Sequence, residues 1–257
     1  MPGSIRPWPK RFHAWVLQGG ETLGSNDFDA STRDEAGLTI AIKEAIKWAR
    51  GHLPAGERLH HIDIAACGRA LAQWHPEEAK TGLRNLGIAH RVTLRWNSSI
   101  VRDEWAEWDA YELNDLAEEV LDALEADNAQ LSWLGLADME DLDALADRLA
   151  SEPGRPWALE ERPAGCDTTL TAIAAYAPIL IWPQGATVAP AQFRATVDDM
   201  WNKIQNEHDW HANRAIKPAN GGSDGLRQVR RVWHDRQWLK FCRLFETPLS
   251  SPEEEIS

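Results

Sequence analysis

Phe12-His-Ala-Trp-Val-Leu-Gln18 opens a stretch that runs on to Leu59-His-His-Ile-Asp-Ile64, and the reading of this stretch decides the fold class. The opening run is aromatic and β-branched and is closed by Gly19-Gly20, which predicts a first strand. Ser31-Thr-Arg-Asp34 has the form of a capping box. Leu38, Ile42, Ile46 and Ala49 then recur at helical spacing until Gly51 and Pro54 stop the helix. Arg58 to Ile64 alternates as a second strand. Strand, helix, strand in that order favours a right-handed crossover and a parallel pair.

Working outward, Gly68 to Gln73 predicts a short helix that breaks at Trp74-His75-Pro76, and Arg91 to Trp96 a third strand. Thr168 to Tyr176 predicts another short helix. Pro178-Ile-Leu-Ile-Trp182 is a continuous apolar run ended by Pro183, as in a strand buried on both faces. A longer helix is expected from Ala191 to about His208, with Phe193, Val197, Trp201 and Ile204 on its apolar stripe. Ser151 to Pro163 reads as loop, and Lys217 to Gly225 as a flexible loop. The expectation is one α/β domain over residues 1–257. It holds a small, mostly parallel sheet of about four strands flanked by helices. An acidic helical pair is inserted at 103–150, and a helical C-terminal region covers 190–246.

The acidic segment dominates the charge. Between Asp103 and Asp147 lie sixteen carboxylates and no Lys or Arg; without them the formal net charge of −13 becomes +3. Leu113, Leu116, Ala117, Val120, Leu121 and Leu124 form one helical stripe, and Met139, Leu142, Leu145, Ala146 and Leu149 another, on either side of Gly135. The carboxylates fall on the opposite arcs, so two helices with a negative outer face are expected. Such a face suits a basic protein partner and repels nucleic acid.

Composition narrows the class further. Hydrophobic residues make up 43% of 257 residues, enough for a sizeable core. Fourteen Trp against five Phe and two Tyr imply a core built largely on Trp, with a few left for an interface. Three scattered cysteines, Cys67, Cys166 and Cys242, argue against a disulfide scaffold or structural zinc. No signal-like N-terminus or membrane-length apolar run is present, so a cytoplasmic location is expected.

Candidate chemistry is sparse. Glu207, His208, Asp209 and His211 form the densest polar cluster, and His208 and His211 can share a helix face, but no metal-ligand signature accompanies them. His60 and His61 point to opposite faces of their strand and cannot act as one unit. Cys67 ends a strand, where a Cys–His nucleophile could sit, yet a lone Cys there reads better as a small buried hydrophobe. Asn220 to Gly225 lacks phosphate-loop spacing. No catalytic residue, metal or cofactor is therefore assigned; the alternative is a hydrolase using Cys67 or the His208/His211 cluster.

The C-terminal stretch Leu226 to Phe245 reads as a basic helix. Arg227, Arg230, Arg231, Arg236, Lys240 and Arg243 face only Asp235 and interleave with Trp233, Trp238 and Phe241. This mixture could bind nucleic acid through phosphate contact and stacking, dock an acidic protein, or neutralise the acidic helices of its own chain. The apolar stripe changes sides near Asp235, so one straight helix cannot bury both halves against one surface. The first half, with Trp233, is expected in the core. The second, with Arg236, Trp238, Lys240 and Arg243, is expected to bind a partner, as are Glu118, Glu119 and Asp122 of the acidic face.

Several segments in order resemble the vWA–MoxR-associated protein C-terminal domain of bacterial conflict systems. They are Phe12-His-Ala-Trp-Val-Leu, Leu59-His-His-Ile-Asp-Ile64 with Trp74 after it, and His90-Arg-Val-Thr-Leu-Arg95 followed by Trp96, Arg102, Trp105 and Trp108. Ala177-Pro-Ile-Leu-Ile-Trp-Pro183, ahead of a helix from Pro190 to Ile204, completes the series. Gln184 stands where the family usually has Arg after Trp-Pro, and the acidic helices have no counterpart. The resemblance implies a non-enzymatic adaptor of an NTP-dependent antiviral defence system. Its partners would be a MoxR-type AAA+ ATPase, a vWA-domain protein or an effector protease. The family implies no catalytic residues.

Overall fold

The structure, a computed structural model, describes residues 8–97, 100, 107–126, 130–152, 154–162, 166–184, 188–205 and 228–245. The chain starts with β1 (Arg11–Gln18) and β2 (Glu21–Asp29), then α1 (Glu35–His52), β3 (His61–Ala66), α2 (Gly68–Gln73), α3 (Leu86–Ala89) and β4 (Arg91–Trp96). The middle holds α4 (Glu107–Glu125), β5 (Ser132–Leu134), α5 (Leu142–Ser151), β6 (Trp157–Leu159) and α6 (Cys166–Ile173). The last elements are β7 (Ile179–Pro183), α7 (Pro190–Gln205), β8 (Val229–Trp233) and α8 (Arg236–Cys242).

The α/β class holds, but the sheet has six strands rather than about four, in the order β3-β4-β8-β7-β6-β5. Every neighbouring pair is parallel except β7–β8. The sheet is thus two parallel triplets of opposite direction joined at its centre. Strand alternation sorts the side chains onto two faces. Leu94, Trp96, Trp157, Leu159, Leu180, Trp182 and Val232 pack with Leu38 and Ile42 of α1, Leu71 of α2, Leu145 and Leu149 of α5 and Leu170 of α6. Ala158, Ile179, Ile181, Val229 and Trp233 face the other way, against Phe193, Val197 and Ile204 of α7 and Val120 of α4. Trp96, Trp157 and Trp182 are among the largest fully buried side chains, so tryptophan does build the core.

Several expectations are corrected. The first strand does not join a parallel pair with the second. It forms a separate antiparallel hairpin with β2, through the two-residue turn Gly19-Gly20. Both glycines have positive φ, 61° and 91°, the conformation that a tight hairpin turn requires. The partner Glu21–Asp29 escapes pattern reading because it is polar and mostly exposed. The helix start shifts by three residues. Asp34, not Ser31, is the N-cap, and its carboxylate accepts from the Gly37 N–H at 2.8 Å and the Thr32 hydroxyl at 2.7 Å.

Both acidic helices expected between 103 and 150 form, as α4 and α5, but not as an inserted pair. Between α4 and α5 runs β5, the edge strand of the sheet; α4 packs on α8 and α5 on α6. The loop expected from Ser151 contains β6. The basic C-terminal helix is also corrected: Val229–Trp233 is a central strand with all five residues buried, and only Arg236–Cys242 is helical. The break falls at Asp235, which caps α8 by accepting from the Trp238 N–H at 2.8 Å. The described part of the Ala191–His208 helix ends at Gln205.

Candidate functional site

Strand periodicity places three arginines inside the molecule. Arg95 lies out of phase with Leu94 and Trp96, so its side chain leaves the tryptophan-lined face and passes under α8. Its guanidinium is fully buried. It donates through Nε to Asp63 at 2.7 Å, through Nη2 to Asp235 at 2.6 Å, and through Nη1 to the Trp233 carbonyl. The Trp238 ring lies 5.4 Å from it, within cation–π range. The carboxylates keep contact with water, Asp63 being 35% exposed and Asp235 24%. Burial pushes the Asp63 carboxyl up, but the Arg95 charge outweighs this and holds its pKa below the usual range. Beside them His234 is wholly buried and accepts the Trp96 N–H at Nε2, 3.2 Å. Burial, reinforced by Arg95, holds its pKa well below that of a free imidazole, so the ring is neutral.

Arg230, one strand over and on the opposite face, is 1% exposed and is held differently. Nη1 donates to the carbonyls of Leu71 at 3.0 Å and Trp74 at 2.9 Å, at the C-terminal end of α2. Unsatisfied carbonyls and the negative end of a helix favour a cation there. Glu77 lies at 3.5 Å and the Trp182 ring at 5.4 Å. Adjacent His75 is pushed down to a pKa of about 4, first by burial and then by the Arg230 charge. The indole N–H of Trp74 and Nδ1 of His75 are buried without a hydrogen-bond partner. Arg231 points to the α7 side, donates to the Ile204 carbonyl and lies 4.9 Å from the Trp233 ring.

The two surfaces read from the sequence as separate docking sites meet each other. Arg236 of α8 bonds Asp122 at 2.6 Å and Glu125 at 2.9 Å on α4, and Arg243 pairs with Glu118. Leu239 packs beneath these pairs against Ala117 and Leu121. Trp238, expected on a partner surface, is 5% exposed and packs with Phe241 and Cys242 next to Trp15. Trp233, expected in the core, is there. Lys240 is exposed and approaches the hairpin turn at Gly20. Glu119 is exposed on α4, as are Asp115, Asp122 and Glu125.

Of the weaker candidates, Cys67 is exposed at the N-cap of α2, contrary to the buried position expected of it, while Cys242 is buried. His60 is exposed, while His61 is half-buried and bonded to the Thr93 hydroxyl at 3.0 Å. His208, His211 and the Lys217–Gly225 loop lie outside the described residues. Among the described residues, no three His, Cys, Asp or Glu side chains are placed to hold a metal ion. None of the described helices is long and apolar enough to cross a membrane. Sequence reasoning missed Arg95, Asp63 and His234 altogether. The one available signal was an Arg inside the otherwise apolar run Val92-Thr-Leu-Arg-Trp96, since a charge in a buried strand must be paired.

Comparison of the chain with protein-family models, with curated proteins and with solved structures gave no match.

Proposed function

We propose that the chain is a protein-binding platform whose docking surface is the carboxylate-lined edge of the sheet at β5. One observation carries this reading. The apolar stripe of α5 is committed to the sheet and that of α4 to the sheet and α8, so Asp115 and Glu119 on one helix face solvent, while Asp122 and Glu125 beside them hold Arg236. On and before the other helix, Glu140, Asp141, Asp143 and Asp147 also face solvent. A predominantly negative surface attracts a basic partner and steers its approach. The order of motifs resembling those of the vWA–MoxR-associated domains suggests a specific setting. There the chain is a non-enzymatic adaptor of a bacterial defence system, linking a MoxR-type ATPase or vWA-domain sensor to an effector. The competing nucleic-acid reading loses support, because Arg230 and Arg231 are buried and Arg236 and Arg243 are engaged by α4.

The test is charge reversal where no internal pair is broken: Asp115→Lys, Glu119→Lys and Asp147→Lys together. Glu118 and Asp122 are unsuitable, since they hold Arg243 and Arg236. With the fold verified by circular dichroism, co-purification from the native host should recover an ATPase, vWA protein or protease with the wild type and not with the variant. Equal recovery with both at low salt, where screening is weak, would remove the docking claim.

A further inference from the structure

Residues 76–89, between α2 and β4, lie outside both sheets and close on themselves. The Leu86 N–H donates to the Ala79 carbonyl at 2.8 Å, and Lys80 pairs with Asn85. Gly87 lies so near Glu77 that a Cβ added to it would stand 3.1 Å away. Pro76, Ala79 and Leu86 are buried beneath the segment. Glu77 ties it to Arg230 of β8 at 3.5 Å, and Glu78 ties it to Gln184 just after β7. Two histidines bound it. The backbone of His75, φ −119° and ψ 72°, is neither helical nor extended. His90 ends α3 and stays with the sheet through its Nδ1 contact to the Leu59 carbonyl at 2.8 Å.

The closed segment has no place for a proton on His75. An imidazolium donates from both ring nitrogens, but Nδ1 is buried and no described group is within hydrogen-bond reach of it. Of the described charged groups around the ring, Arg230 and Arg162 are cations. Glu77 and Glu78 are carboxylates already engaged by Arg230 and Gln184. Burial first, and the Arg230 charge second, keep the ring neutral. Opening returns the imidazole to water, where it takes up a proton below about pH 6.5. The closed form is therefore favoured above that pH and the open form gains as pH falls. We propose that residues 76–89 are an acid-released flap: protonation of His75 lifts the segment from the end of β7 and the start of β8 as one body, hinged at His75 and His90, while the six strands stay paired. Release uncovers Pro76, Ala79 and Leu86 beside Leu83 and Ile88, which are exposed already. Acid thus turns a polar latch into an apolar surface. The flap does not depend on the reading of the β5 edge.

Hydrogen exchange of the full chain tests it, read as protection factors so that the intrinsic pH dependence of exchange cancels. Between pH 7 and 5 the amides of Ala79, Leu86 and Ala89 are expected to lose protection about fivefold, the linkage being reduced by the partial exposure of the ring. That loss should be insensitive to low urea, as a local opening requires, while the amides of β6 and β7 follow global unfolding and weaken with urea. His75→Gln should hold the protection of the segment constant over the same pH range. A segment as protected as β7 at pH 5, with the same urea dependence, overturns the proposal. So does a His75→Gln variant whose segment opens in acid as that of the wild type does. If His75→Gln does not fold, an apolar fluorescent dye added to the wild type decides. Dye uptake that rises between pH 7 and 5 with far-ultraviolet circular dichroism unchanged supports the flap, and no uptake refutes it.

Discussion

Arg95 and Arg230 sit on adjacent strands, each buried and each against a tryptophan ring, yet they are neutralised by different means. Arg95 binds two carboxylates, from β3 and from the cap of α8, and both reach water. Arg230 uses backbone carbonyls at the end of α2, with Glu77, itself only 10% exposed, at a longer distance. The first arrangement is a set of ion pairs that can rehydrate when broken. The second is a polar pocket whose carboxylate is nearly closed to solvent. The difference teaches that burial of the partners, more than the number of carboxylates, decides how costly a buried arginine is to lose.

That comparison breaks most directly on the arginines themselves. Arg230→Met is expected to cost about 3–5 kcal/mol, because it strands buried acceptors and Glu77 together. Arg95→Met should cost less, about 2–3 kcal/mol, since Asp63 and Asp235 regain water. Urea unfolding measures both, and a reversed order would refute the argument from burial.

Acid sharpens the contrast next. His75 beside Arg230 has a folded pKa of about 4 against an ordinary 6.5. The folded state therefore holds the neutral ring while the unfolded chain takes up a proton. The stability from this residue is fully present above about pH 6.5 and is lost as pH falls towards 4. His234 beside Arg95 acts in the same direction. His75→Gln should flatten part of the slope between pH 7 and 4.5; an unchanged slope would mean that the ring titrates freely.

A smaller effect is expected from Gly68→Ala, which reaches the Arg230 side alone. A Cβ there would come within 2.5 Å of the Leu170 backbone, where α2 meets α6. Forcing the helices apart should cost about 1–3 kcal/mol and shift the Leu71 and Trp74 carbonyls, while the Arg95 cluster stays intact. Near-ultraviolet circular dichroism and thermal melting together report this, and a melting temperature equal to wild type would show that α2 can yield. Least is expected of Arg236→Gln. Its pairs with Asp122 and Glu125 lie in solvent, so the melting temperature should not change measurably. A clear drop would make the α4–α8 contact structural.

Elements with a strong local signal were legible in the chain. Gly68–Gln73, Arg91–Trp96 and the run ending at Trp182 match their expected spans closely, because capping, breakers and apolar runs act within a few residues. The strands Glu21–Asp29, Ser132–Leu134 and Trp157–Leu159 were not legible, being polar or only three residues long. Their ladders are completed by partners whose register local pattern does not encode. The deepest difference lies in Val229-Arg-Arg-Val-Trp233. By itself the chain determined that this segment is cationic, that its apolar side changes near Asp235, and that Trp233 is core. Only the tertiary structure decided that its arginines are inside. A buried guanidinium is tolerable only where distant groups converge on it. Arg230 is met by carbonyls 159 and 156 residues away, and Arg95 by Asp63 and Asp235, 32 and 140 residues away. That convergence is a property of the folded chain, because desolvating a charge must be offset by partners that only the assembled sheet and helices bring within reach.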